Sequence, residues 1–341
     1  MFDLESRPAL RFIVAGRFTR DFIIDLEGQP HMDIPGGGGI YSAVGLALWE
    51  QGVGLLGRIG EDFPQHWLEK WKERGFDTSG VKILDQALDL RRFIQYAGAE
   101  TPQRDNPISH FSQRGLPFPK SLLGYQNPVH QPDSKTVSSD QTLRLTDLPM
   151  HYLDATAVHL APLDYLSHSI MLPRVQQGNA STITIEPSRG SMDATFWDDI
   201  PNLVKGITAF HTNEEKIRAL FHGRSTDLWE MAEKIASYGS EFVVIKRKAA
   251  GQYLYDAARK TRWIIPAYPA RVVDPTGAGD AFCGGFLAGY RSFYDPVEAA
   301  LCGNISASFV IEGSGPLYAL DALPGLAQAR LESLRSSVRK L

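Results

Sequence analysis

The stretch DPTGAGDAFCGGF, residues 274–286, joins a tight glycine turn to a carboxylate, Asp280, at the start of a run of small, uncharged residues. The turn Gly277-Ala278-Gly279 leads into a predicted helix, whose first backbone N–H groups have no acceptor within the helix and can bind a phosphate. Glycine keeps that backbone open to the anion. Because a carboxylate would repel a resting phosphate, Asp280 indicates catalysis. It can take a proton from an attacking hydroxyl while the N–H groups stabilise the transferring phosphoryl group.

A structural alternative is that Asp280 merely caps a helix after a glycine turn, which is the commoner role of an isolated Gly-x-Gly-Asp. Two features of the surroundings favour catalysis. The small residues between 284 and 289 suit a helix packed deep within the protein, and a buried cap would not need the second acid, Asp274, upstream.

A turn of this kind must be held by strands and helices, and the chain alternates between the two. Alternation of this type predicts an α/β fold with a mainly parallel sheet covered by helices on both faces, and a ligand site at the carboxyl ends of the strands. Strands are predicted at 11–16, 21–25, 53–60, 78–84, 155–162, 181–187, 206–212, 241–247 and 252–257, and helices at 39–52, 64–75 and 227–239. Residues 100–150 interrupt the pattern with a polar segment rich in Pro, Ser, Asn, Asp and Gln. Since no linker or repeat stands out, residues 1–341 are predicted to form one domain.

Composition excludes several classes of protein. A net charge of -4 gives no basic footprint for nucleic acid. No apolar run reaches the length of a membrane span, and the first residues are acidic where a signal peptide would be basic. Cys283 and Cys302 are predicted to be buried thiols, and Trp67 and Trp71, one helical turn apart, to be core residues. The nine histidines show no zinc-ligand spacing. We therefore expect a cytoplasmic protein that binds neither nucleic acid nor membrane.

The glycine turn resembles the C-terminal motif of the ribokinase, or PfkB, family of carbohydrate and nucleoside kinases. That motif reads Asp-x-Thr/Ser-Gly-Ala-Gly-Asp and matches this chain at Asp274 and from Thr276 to Asp280. The resemblance implies that Asp280 is the catalytic base, that residues 277–279 form the anion hole, and that Thr276 lies on the nucleotide side.

The N-terminal half is similar to the first motif of the same family, a Gly-Gly turn that opens a helix. The resemblance implies that Asp21 and the backbone of Gly37 and Gly38 bind substrate hydroxyls. An ionised carboxylate suits this role because it accepts from two adjacent hydroxyls. Asp25, in the same strand, is the competing candidate. Tyr41 stands near the substrate where the family commonly has Asn.

Further similarities concern the nucleotide. HTNEEKIRAL resembles an Asn-x-x-Glu helix start that organises Mg²⁺ and phosphate through water. Asn213 fits that pattern, and Glu215 stands one place early. Asn213 is equally well explained as a helix cap. Lys248 occupies a nucleotide-loop position where glycine is usual, Gly251 belongs to the same loop, and Asn304 matches the border of the adenine pocket.

The resemblance covers roughly residues 11–315 and implies a ribokinase-like three-layer αβα fold with a small β lid near 18–35 and 82–97. It implies an ATP- and Mg²⁺-dependent kinase that phosphorylates an alcohol of a sugar or related small molecule, and leaves a monovalent cation open. The alternatives are a nucleoside kinase of the same fold and a catalytically weak sensor of nucleotide or sugar. The edges of the lid could pair between subunits, so a homodimer is also open. The role of the 100–150 insertion is not indicated by the sequence.

Overall fold

The computed structural model describes residues 10–128 and 131–341. The N-terminal residues 1–9 and the insertion residues 129–130, both covered by sequence predictions, lie outside the described residues.

Fourteen strands are present within the described residues. They are β1 (Phe12–Ala15), β2 (Thr19–Ile24), β3 (Pro30–Gly36), β4 (Val53–Gly60), β5 (Phe76–Leu84), β6 (Arg91–Tyr96), β7 (Pro102–Gln103), β8 (Ala157–Leu160), β9 (Thr182–Ile185), β10 (Ile207–Asn213), β11 (Ser240–Lys246), β12 (Gln252–Asp256), β13 (Thr261–Ile265) and β14 (Arg339–Lys340). Ten of them form one sheet in the order β14-β13-β12-β11-β10-β9-β8-β1-β4-β5. The pairs from β11 to β5 are parallel and those from β11 to β14 antiparallel. The predicted mainly parallel sheet is confirmed.

Helices cover both faces of this sheet. They are α1 (Gly38–Ala47), α2 (Gln65–Glu73), α3 (Pro107–Gln113), α4 (Tyr165–Gln176), α5 (Ile200–Val204), α6 (Glu214–Leu220), α7 (Leu228–Ala236), α8 (Ala278–Phe293), α9 (Pro296–Val310) and α10 (Leu326–Arg335). Alternate residues of β1 face opposite sides. Phe12 belongs to an apolar core that includes residues of α1, α2, α8, α9 and α10, and Ile13 belongs to one that includes residues of α4, α5, α6 and α7. Three layers therefore enclose two apolar cores. Trp67 and Trp71 are buried in the first core, as predicted.

Small residues let α1 and α8 approach until their backbones touch. A Cβ at Gly284 would overlap the carbonyl oxygen of Ser42, and a side chain at Gly45 would overlap the backbone of Ala281. Since both helices begin at glycine turns, this contact holds the two turns side by side. Cys283 and Cys302 lie in the same buried region as free thiols, as predicted.

A second sheet of four strands, in the order β3-β2-β6-β7, accounts for the two predicted lid segments. Residues 82–84 are an exception, because they end β5 in the large sheet. Part of the 100–150 insertion belongs to this unit as well, since β7 extends the sheet, and Phe111 of α3 packs beneath it with Phe22 and Phe93. The alternation of strand and helix patterns did not mark β3 or β6, which were expected only as part of the β lid that the resemblance implied. None of the helices in the described residues combines the length and apolar character needed to cross a bilayer.

Candidate functional site

The N-terminus of α8 presents unpaired backbone N–H groups. Gly277 precedes the helix with φ 79°, a left-handed conformation that favours glycine. The N–H groups of Gly277, Gly279 and Asp280 have no acceptor among the described residues, whereas the N–H of Ala278 donates to Pro275. The helix dipole adds partial positive charge here. The predicted anion hole is thus an open, positively polarised cradle.

The carboxylate of Asp280 lies against the backbone of the other glycine turn. A Cβ at Gly38 would lie 3.0 Å from Asp280 Oδ1, so glycine is what leaves room for the contact. The neighbouring Gly37 has φ 97° and caps α1. The structure therefore brings together the N-terminal turn and the predicted base, which lie about 240 positions apart in the sequence.

Burial raises the pKa of Asp280 to about 6, and the negative charge of Glu186 adds to the rise. The positive charges of Lys246, Lys216 and Arg92 act in the opposite direction. A base with a pKa near 6 is ionised at neutral pH yet still takes up a proton, which suits general-base catalysis.

On the acceptor side, Asp21 is fully buried and bound by Arg92 of the adjacent strand β6. Arg92 Nε donates to Asp21 Oδ1 over 3.0 Å, and Arg92 Nη2 donates to Asp21 Oδ2. Thr19 Oγ1 donates to Oδ1 over 2.7 Å. Since each carboxylate oxygen accepts about two hydrogen bonds, Oδ2 retains a free lone pair. Arg92 Nη1 has no partner among the described residues.

Asp25, the competing candidate for substrate binding, has a structural role. It accepts from the backbone N–H groups of Glu27 and Gln29 and pairs with His31, so it closes the turn between β2 and β3.

Tyr41 of α1 fills the space beside the anion hole. Its ring would be overlapped by a Cβ at Gly277, and its buried hydroxyl has no hydrogen-bond partner in the described residues. Burial, together with the nearby charges of Asp274 and Asp21, raises the pKa of Tyr41 well above its usual value, so the hydroxyl keeps its proton. Tyr41 thus brings an unused O–H donor between the acceptor side and the turn.

Below the anion hole, one buried carboxylate joins two lysines. Glu186, directly after β9, accepts from Lys216 Nζ over 2.9 Å and from Lys246 Nζ over 2.6 Å. The exposed fractions of the Glu186, Lys216 and Lys246 side chains are 4%, 12% and 10%. Burial alone would raise the pKa of Glu186, but the two ammonium groups outweigh it and hold that pKa well below the usual range. Lys246 Nζ also donates to the carbonyl of Gly279 over 2.8 Å, which ties the ion cluster to the glycine turn.

The predicted magnesium residues are not assembled. Asn213 caps α6, and its side chain accepts from the N–H of Lys216. Glu215 lies on the surface, 66% exposed, in an ion pair with Arg189. Both observations have one physical reason, the direction of side chains in the first turn of α6: position 216, and not 215, points toward the end of β9. The placement of Glu215 in a metal site is therefore not supported.

Three further residues were predicted on the nucleotide side: Lys248, Gly251 and Asn304. Lys248 is exposed and donates to the carbonyl of Glu100, so it points toward the insertion. Gly251 has φ 80° and lies so close to the backbone of Ile265 that a side chain would not fit. Asn304 is buried, and its side-chain amide is fully engaged. It accepts from the backbone N–H of Tyr268 and donates to Gln252 Oε1 and to the carbonyl of Pro266, so it connects the loop after β13 to α9.

Thr276 and Asp274 shape the turn itself. The backbone N–H of Thr276 donates to Asp274 Oδ1, and the Thr276 hydroxyl meets the hydroxyl of Tyr96 over 3.0 Å. Ser314 Oγ donates to the other oxygen of Asp274 over 2.6 Å. Asp274 thus stabilises the turn through these two hydrogen bonds.

Sequence reasoning missed Glu186, Lys216 and Arg92 as site residues. Glu186 carried a usable signal, because an acid directly after a buried parallel strand lies at the ligand-binding edge of a sheet. Lys246, at the end of β11, is likewise buried and was not singled out as a site residue. Arg92 carried no local signal, since only the pairing of β2 with β6 puts it beside Asp21.

The cradle at α8 fits the phosphates of a nucleotide, because the N–H groups of Gly277, Gly279 and Asp280 have no acceptor among the described residues. The residues fit a metal ion less well. Within the described residues no group of three or more His, Cys, Asp or Glu side chains could hold one. Mg²⁺ commonly keeps several waters and binds through substrate phosphates with one or two carboxylates. A magnesium ion here would thus be held mainly by the phosphates.

Comparison with known proteins agrees with this geometry. Residues 174–323 match the model of the pfkB family carbohydrate kinases. The 5-dehydro-2-deoxygluconokinase of Geobacillus kaustophilus is 32% identical over 349 residues, which cover 95% of this chain and 93% of that protein. The cytidine kinase of Thermococcus kodakarensis is 28% identical over 82% of this chain and 88% of its own length. In fold, the chain is similar to a fructokinase of Vibrio cholerae crystallised with fructose, ADP and potassium ion, with a TM-score of 0.67 and 18% identity over 96% of this chain and 98% of that chain.

Proposed function

Because the chain belongs to the pfkB family of carbohydrate kinases, it is a phosphotransferase that acts on an alcohol group, and we propose that this alcohol is carried by a sugar. The observation that carries the proposal is the position of Asp280, a carboxylate with a pKa of about 6 between the free N–H groups of α8 and the backbone of Gly38. ATP, bound with Mg²⁺, supplies the phosphoryl group.

We assign the steps of the reaction to residues of this chain as follows. Asp280 takes the proton of the acceptor hydroxyl as that oxygen attacks. The N–H groups of Gly277, Gly279 and Asp280 stabilise negative charge on the transferring phosphoryl group. Lys246 holds the turn through the carbonyl of Gly279. The small four-stranded sheet would close over the acceptor and exclude water, which limits wasteful hydrolysis.

Arg92 offers the substrate one unpaired donor, Nη1, while the fully buried Asp21 holds the guanidinium in place. This donor suits a hydroxyl of a polyol, and the guanidinium also suits a carboxylate on the sugar. The G. kaustophilus relative is a kinase of a sugar acid. Within the sugars, we therefore favour a sugar acid, with Tyr41 supplying a further O–H donor.

The test is an ADP-release assay with Mg²⁺ and ATP against neutral pentoses and hexoses, sugar acids, sugar phosphates and nucleosides. We expect turnover of sugars, fastest with a sugar acid, and none with Asp280→Asn. Turnover of nucleosides alone would make the chain a nucleoside kinase, the alternative that the cytidine kinase relative supports. Tight ATP binding without turnover of any acceptor would replace the proposal by a sensor role.

The proposed base also predicts the pH dependence of the reaction. Since Asp280 must be ionised to accept a proton, kcat/KM is expected to fall about tenfold per pH unit below a pH near 6, the pKa of its carboxyl group. The charged groups that set this pKa are Glu186 at the end of β9, Lys246 in β11, Lys216 in α6 and Arg92 in β6. Initial rates between pH 4.5 and 8, with the stability of the enzyme checked at each pH, measure this acidic fall of kcat/KM. A flat profile across this range would contradict the assignment.

A further inference from the structure

Lys216 occupies a defined place at the start of α6. The helix begins directly after β10, and the side chain of Asn213 accepts from the backbone N–H of Lys216 over 2.8 Å. In the Asn-x-x-Glu pattern the fourth position carries the acid, and counting from Asn213 that position is Lys216. The chain therefore places an ammonium group where the pattern places a carboxylate.

Hydrogen-bond capacity separates the two buried lysines. An ammonium group has three N–H donors. Lys246 uses all of them, on Glu186 Oε2, the carbonyl of Gly279 and Cys283 Sγ. Lys216 uses two, on Glu186 Oε1 and the carbonyl of Pro187. One donor of Lys216 is left without a partner in the described residues, although the side chain is only 12% exposed.

Charge balance indicates what class of ligand would suit that donor. Glu186 offers one negative charge to the two ammonium groups, so this cluster carries one excess positive charge. Ionised Asp280 interacts electrostatically with both lysines, and its negative charge offsets the excess positive charge. Once Asp280 takes up the acceptor's proton, however, the excess is no longer offset. Because a buried cation without a counter-charge is costly, the cluster suits a bound polyanion.

We propose that Lys216 binds the polyphosphate of ATP directly, so that a fixed ammonium group takes over part of the charge neutralisation that a metal-organising carboxylate provides in the Asn-x-x-Glu pattern. The inference rests on the proposed function, because it concerns the phosphate donor of that reaction. A carboxylate at this place would attract Mg²⁺ and repel free ATP, whereas an ammonium group attracts the phosphates with or without the metal. The affinity of this chain for ATP should accordingly depend little on Mg²⁺.

Calorimetric titrations of ATP and of adenosine, each with EDTA and with excess Mg²⁺, test this. Wild-type protein is expected to bind metal-free ATP within about tenfold of its affinity in Mg²⁺. Lys216→Met should weaken the binding of metal-free ATP by about 10- to 100-fold, the loss of one charge-assisted hydrogen bond. It should weaken ATP with Mg²⁺ less, because the metal then neutralises the phosphates, and should leave adenosine within about twofold.

Two variants serve as controls for Lys216→Met. Lys216→Met leaves Glu186 paired with Lys246, so the buried carboxylate keeps a counter-charge and the fold is expected to survive. Lys216→Arg retains the positive charge and should bind metal-free ATP within about threefold of wild type; it carries the comparison if the methionine variant does not fold. Lys72→Met removes an exposed lysine outside the site and should change nothing.

Three results would count against the inference. Unchanged binding of metal-free ATP by Lys216→Met would overturn it, and so would an equal loss of adenosine, which would indicate a structural role. A strict requirement of the wild-type protein for Mg²⁺ would overturn it as well. If the wild-type protein binds no ATP in either condition, the proposed function itself fails, which is a separate outcome.

Discussion

Asp280→Asn is expected to lower kcat by about 10²- to 10⁴-fold, the usual contribution of a general base, while ATP binding remains equal or tightens. The amide has the size of the carboxylate and fits the same place beside Gly38, but it cannot take up a proton. It also removes a negative charge close to the phosphate cradle, so the resting nucleotide is repelled less. Single-turnover rates and calorimetric ATP binding measure the two effects separately.

Asp85→Asn is the matched control for this change. Asp85 is an exposed acid after β5, and its amide variant should keep wild-type rates and wild-type ATP affinity. Wild-type-like turnover by Asp280→Asn would eliminate the proposed mechanism. A joint loss of turnover and of ATP binding would instead place Asp280 in nucleotide binding rather than in proton transfer.

Glu186→Gln is expected to destabilise the protein by about 3–5 kcal/mol, the usual cost of removing one partner of a buried ion pair. The change leaves Lys216 and Lys246 without their shared counter-charge in a region where neither side chain is more than 12% exposed. It also releases the lysine that holds the carbonyl of Gly279, so the α8 turn should lose order with it. The free energy of unfolding from urea denaturation measures the effect.

Two further variants locate the cause. Glu215→Gln makes the same chemical change in an exposed pair with Arg189 and should cost less than about 1 kcal/mol. The double variant Glu186→Gln/Lys216→Met removes one ammonium group together with the carboxylate and should recover part of the lost stability, which gives a negative interaction energy in the double-mutant cycle. Equal costs at positions 186 and 215 would contradict the account of the buried cluster.

Local sequence patterns determined much of this protein. The glycine turn, the acid that follows it and the small residues behind it predicted a phosphate cradle at a helix N-terminus, and the structure has α8 begin there. Alternating strand and helix patterns predicted a parallel sheet, because apolar periodicity and glycine stops act over a few neighbouring residues. For the same reason β4 was predicted with its observed bounds, Val53–Gly60.

Tertiary structure alone decided which charges share the site. Arg92 reaches Asp21 because β6 pairs with β2 across 71 positions of the chain, and Glu186 meets Lys246 across 60. Such pairs produce no periodic pattern in the sequence, since their interaction energy depends on burial and geometry and not on spacing along the chain. Sequence reading therefore indicated the candidate base and the glycine turn, but neither the cluster of Glu186, Lys216 and Lys246 nor the exposed position of Glu215 on α6. The direction of one helical turn and the burial of one ion cluster decided both, because only packed strands bring these residues close enough to interact.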